Sequence, residues 1–169
     1  MKKSLFTILI FAVCAVLNAA EFRMDIQGYK GAALRPVSVS AGAAAAQASW
    51  LGKRKDQRMS CTAAVTDDWK EFSFSFIPKN NGVYEINLMS DKKQNKVCCG
   101  EITVQGAEIK NGDFSQRDSK GGLVGWRKLG NASFSEENFV VSTHDDRWMQ
   151  TINCRKGEKI TVTFKAKKF

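Results

Sequence analysis

The chain has one histidine in 169 residues and no Cys-x-x-Cys spacing. These two lacks argue against an ordinary zinc site, because paired thiolates need a short gap to share one tetrahedral ion and His144 has no second imidazole to work with. After the first twenty residues no apolar run is long enough to cross a bilayer. There is no sustained 3.6-residue period either, so no helix of ordinary length is expected. No recognisable nucleophile motif accompanies His144-Asp145-Asp146, the one cluster of histidine and carboxylates, which reads as a polar hairpin tip between Val141 and Trp148.

What is present begins with Lys2 and Lys3, an apolar run from Leu5 to Val16, and Leu17-Asn18-Ala19-Ala20 with small residues at its end. These are the three parts of a cleaved signal peptide, so residues 1–20 are expected to direct export and 21–169 to form a single domain. Cys14 lies inside the apolar run behind Val13, where a lipid-anchor site needs a small residue. The expected location is periplasmic, cell-surface or extracellular. The formal charge is +9, and it stays basic without Lys2 and Lys3. For an exported protein that balance points to acidic glycans, anionic headgroups or simple solubility, and not to nucleic acid. Four cysteines follow the leader: Cys61, Cys98, Cys99 and Cys154. In an oxidising compartment they allow up to two disulfides in three connectivities, or buried thiols. Cys98 and Cys99, adjacent on a strand, would need different partners.

Most segments alternate with period two. Phe22, Met24 and Ile26 share one face of a strand from Phe22 to Gln27, and Val37 with Val39 begins another. The alanine-rich stretch 41–48 reads as a tight strand or loop, since Gly42 interrupts it. Trp50 opens a basic loop through Arg54 to Arg58. The strongest strand runs from Trp69 to Ile77, with Phe72, Phe74 and Phe76 on one face and Glu71, Ser73 and Ser75 on the other. Pro78 to Gly82 reads as a hairpin connection, and Val83 to Met89 as its returning strand. Many short strands with Gly, Asn and Pro turns imply two antiparallel sheets packed as a jelly-roll β-sandwich.

Asn111-Gly112-Asp113-Phe114-Ser115, a polar loop and Gly122-Leu123-Val124-Gly125-Trp126 start a second series. It continues with Phe139-Val140-Val141, Trp148-Met149-Gln150-Thr151-Ile152 and Gly157 to Phe164. The residues resemble the opening half of the galactose-binding-like, jelly-roll carbohydrate-binding modules found beside xylanases, glucanases and other glycoside hydrolases. Val65 to Phe74, Asn81 to Leu88 and Val97 to Val104 resemble the closing half of the same family. The halves therefore stand in reversed order, 21–108 like the C-terminal half and 109–169 like the N-terminal half. Either a circular permutant or a fragment of tandem modules would give that order; the length of one module favours the permutant, whose new termini would fall in a surface turn.

The resemblance implies non-catalytic binding of a poly- or oligosaccharide, acidic or neutral. A structural or adhesion sandwich of the cell envelope is the alternative, and a lone glycoside hydrolase a third. Sugar rings present flat patches of C–H, so exposed aromatic faces flanked by planar polar groups are sought. Trp148 and Gln150 alternate onto one face beside Arg147, and Trp50 lies near Arg54; these five are the expected ligand residues. Trp126 and Trp69 match positions that serve packing in the family. The family's calcium site implies acidic residues at the opening turn and closing strand. Asp113 and Glu101 fall there, but Ser115 and Gly100 replace oxygen donors, so Asp113 is read as capping its own turn and no cofactor is expected.

Overall fold

The structure, a computed structural model of the chain, describes residues 20–40, 43–45 and 57–169. Trp50, Arg54 and all of the leader but Ala20 lie outside the described residues. Twelve strands among those described form two six-stranded antiparallel sheets, a two-layer β-sandwich. The first sheet runs β3 (Ala43–Ala45), β4 (Arg58–Val65), β1 (Ala20–Gly28), β6 (Gly82–Ser90), β11 (Arg147–Cys154), β8 (Arg127–Leu129). The second runs β2 (Leu34–Val39), β5 (Lys70–Pro78), β12 (Ile160–Lys168), β7 (Val97–Gln105), β10 (Val140–Ser142), β9 (Ser133–Phe134).

The alternation read from the sequence places the core. Phe72, Phe74 and Phe76 on β5 are buried, as are Phe22, Met24 and Ile26 on β1. Phe164 joins the layers, with ring centroids 5.0 Å from Phe22, 5.7 Å from Phe72 and 6.3 Å from Phe74. Each such phenyl stabilises the sandwich by roughly 1.5–3 kcal/mol on burial. β12 lies between β5 and β7, so residues from both halves of the sequence share one core.

Two connections differ from the sequence reading. Pro78 to Gly82 joins β5 of the second sheet to β6 of the first, and is a corner between layers instead of a hairpin. The His144-Asp145-Asp146 turn likewise carries the chain from β10 to β11 across the layers. Alternation reports which side of a strand is buried; it does not report which strand lies next to it.

The stretch from Asn111 to Trp126 closes one end of the sandwich as expected of its residues. Asn111 adopts φ 49°, and its side chain bonds the backbone N–H and C=O of Gln116. A Cβ on Gly112 would come within 2.1 Å of the Ile102 carbonyl oxygen, so only glycine fits. Trp126 donates Nε1–H to the Asn111 carbonyl at 3.1 Å and packs 5.1 Å from Phe114. Asp113 accepts from the Ser115 hydroxyl and backbone N–H, and those bonds hold its carboxyl below the usual range.

Cys61, Cys98, Cys99 and Cys154 are all free and buried, which corrects the disulfide reading. They sit on three different strands and act as small apolar side chains. Burial pushes the thiols of Cys61 and Cys98 up to about 11 and that of Cys154 to about 12, and it holds Cys99 well above its usual value.

Candidate functional site

The sequence placed Trp148 and Gln150 on one face of β11, and the structure does so too, but that face is the inner one. Trp148 is 2 % exposed, donates Nε1–H to the Ser133 carbonyl at 2.9 Å and packs 6.0 Å from Phe134. It offers no ring face to a sugar. Gln150 is also buried, its amide spent on the backbone of Lys110: Oε1 accepts the N–H at 2.7 Å and Nε2 donates to the carbonyl at 2.9 Å. Ile152 and Cys154, buried at the same parity, are the sequence signal for that orientation. Arg147 projects from the other side of β11, so the expected trio does not converge. The stacking site on Trp148 is therefore withdrawn.

Of the two tryptophans read as packing, Trp126 is buried and Trp69 is exposed. Trp69 precedes β5 at the parity of Glu71 and Ser73, opposite the phenylalanine stripe, and its residue is 40 % exposed on the outer face of the second sheet. Two local features hold it there. First, Phe164 faces Ile102 and Ala166 faces Cys99, so β7 carries one extra residue at Gly100-Glu101, a bulge against β12. Second, Gly100 has no side chain under the ring: a Cβ would stand 3.3 Å from Cζ3 and 3.4 Å from Cη2 of Trp69.

Phe139 completes the pair. The turn before it is closed by Asn138 N–H to the Ser135 carbonyl and by Ser135 N–H to the Phe139 carbonyl, with Asn138 at φ 61°. The Phe139 ring lies 5.7 Å from Trp69 at an interplanar angle of 67°. Lys167 Nζ sits 4.9 Å from the Trp69 centroid and 5.5 Å from that of Phe139. Around the rings is an open cleft of about 530 Å³, floored by Gly100 and rimmed by Glu71, Glu101, Glu137, Asn138 and Lys165. Lys165 donates to Glu101 at 2.9 Å, and that bond raises the ammonium's pKa. The rim thus mixes both charges and supplies carboxylate and amide oxygens beside two aromatic rings.

Other charged groups are committed elsewhere. Asp25, buried on β1, is held by Arg23 at 2.8 Å and by Arg58. Glu85, buried on β6, accepts from Tyr29 Oη at 2.6 Å, Arg127 Nη2 at 2.7 Å and Asn87 Nδ2 at 3.2 Å. His144 Nδ1 meets Asp145 Oδ1 at 2.9 Å, while Asp146 binds the Asn131 N–H and the Thr143 hydroxyl, closing the turn. Of the calcium candidates, Asp113 serves Ser115 and Glu101 serves Lys165; no group of three or more His, Cys, Asp or Glu able to hold a metal occurs among the described residues. No helix among them is long and apolar enough to cross a membrane. No protein-family model, curated protein or solved structure matches the chain.

Proposed function

We propose that this is an exported, non-catalytic carbohydrate-binding module, circularly permuted relative to the modules its residues resemble, that grips a glycan in the Trp69–Phe139 cleft. The observation that carries the reading is the half-exposed Trp69 ring, seated on Gly100 beside Phe139 and bordered by oxygen acceptors. A sugar ring laid against indole buries its C–H face, and its hydroxyls donate to Glu71, Glu137 and the Asn138 side chain. Glu71, Glu101 and Glu137 are matched by Lys70 and Lys165 on the rim and Lys167 over the rings, which suits a neutral glycan better than a charged one. The shared core of the two sequence halves supports a single permuted module over a fragment of two.

A glycan array of the folded protein, at low and high salt, tests this. Binding to a neutral glycan that resists salt and is lost in Trp69→Ala is the expected outcome, because stacking is not screened as exposed charge pairs are. Absence of binding from a folded sample would turn the reading to a structural or adhesion sandwich.

A further inference from the structure

A second concavity of about 670 Å³ lies at the end of the first sheet, on the other layer of the sandwich from Trp69. Tyr29, 40 % exposed, and Val83 form its apolar wall; Asn80, Asn81, Thr151 and Lys30 add polar groups. We infer that this concavity is a second binding site, one that takes a saccharide bearing carboxylate groups.

Three observations point there together. The Tyr29 ring does not swing freely, since its hydroxyl is tied to Glu85 at 2.6 Å and Glu85 is in turn tied to Arg127 at 2.7 Å. An aromatic face fixed before binding loses little entropy when a sugar ring stacks on it. The charge balance differs from that of the Trp69 cleft. No acidic side chain lines it among the described residues, and Lys30 stands on its lip; Glu85, bonded to Tyr29, is already held by three donors, and Arg127 pairs with Met149, two residues from Thr151. Arg127 is also mostly exposed, at 67 %, and its bonds to Glu85 and to Met149 both run from Nη2. The Nη1 side of the guanidinium is left to donate a charge-assisted hydrogen bond to a ligand carboxylate. The register brings the parts together: Glu85 faces Thr151 on β11, and Arg127 faces Met149 two residues away on the same strand. The Asn80 and Asn81 side-chain oxygens already accept from the Ala33 and Lys156 N–H groups, which leaves their amide N–H groups to donate to hydroxyls or ring oxygens.

The test uses the full chain with galacturonic-acid oligosaccharides and the same oligosaccharides fully methyl-esterified, compared by isothermal titration. Esterification removes the charge and keeps the sugar. The acid form is expected to bind about tenfold or more tightly than the ester, the size of one charge-assisted hydrogen bond. Arg127→Gln should remove that difference. Equal affinity for the two forms, or no binding of either, overturns the proposal. So does displacement of the oligosaccharide by inorganic phosphate at equal concentration, which would mark a generic anion site. Tyr29→Phe, which keeps the ring and frees Glu85, should weaken the acid form less than Arg127→Gln does; the reverse order also overturns it. Because the titration and the array read different sites, either can fail without the other.

Discussion

Trp148 and Trp69 are alike in the sequence and unlike in the fold. Both stand at the start of a strand beside basic residues, yet Trp148 fills the gap between the sheets and Trp69 lies on the outside of one of them. What separates them is phase. Trp148 shares parity with Ile152 and Cys154, which are buried, whereas Trp69 shares parity with Glu71, opposite the buried phenylalanines of β5. A large ring goes where its neighbours two and four residues away go, and its flanking charges decide little.

The sharpest way to break this comparison is to remove both rings. Trp148→Ala is expected to cost about 3–5 kcal/mol, from a lost ring and the cavity it leaves, and urea unfolding would measure it. Trp69→Ala should change stability by less than about 1 kcal/mol while abolishing binding of the neutral glycan. If the two variants unfold at the same urea concentration, the assignment of inner and outer tryptophans is wrong. Next in size, Gln150→Leu keeps bulk near Trp148 but strands the N–H and C=O of Lys110, at roughly 1–3 kcal/mol for each group left without water or partner. The same substitution on the outer face, Glu71→Leu, should not lower the unfolding midpoint.

A third effect comes from the thiols. Their pKa values are raised in the fold, to about 11 for Cys61 and Cys98 and about 12 for Cys154, against an ordinary 9.0. Between those values the folded chain holds more protons than the unfolded chain, so stability should fall as pH rises from about 9 to about 12 and be unaffected by these groups below that window. A urea midpoint that rises across that range would contradict the buried-thiol assignment. The smallest stability effect is expected from Gly100→Ala, whose methyl would press on the Trp69 ring. It should tilt that exposed ring and weaken glycan binding while leaving the unfolding curve nearly unchanged; titration beside unfolding reads both.

Much of the architecture was legible because it depends on residue phase alone. The Phe72, Phe74, Phe76 stripe and the alternation of β1 gave the strands and their buried sides, and Asn111-Gly112 gave its turn through a conformation few residues tolerate. The pairing of strands was not legible. Whether β5 turns back on itself or crosses to the other layer at Pro78 depends on distant partners that leave no mark in the local pattern. The same limit applied to the cysteines, whose spacing along the chain says nothing of their separation in space. The outer aromatic cleft could have been read from the parity of Trp69, but its floor depends on the bulge at Gly100, visible only once β7 is set against β12.

The position of β12 has a consequence for how the molecule comes to exist. It follows both of its neighbours in the sequence, yet it fills the gap between β5 and β7. The second sheet therefore cannot close until Ile160 to Lys168 are available, however early β5 and β7 are made. Most of the pairings that hold this strand are distant along the chain, which slows folding by the loop entropy each must overcome. Until they form, β5 and β7 each expose an unpaired edge open to any other strand within reach.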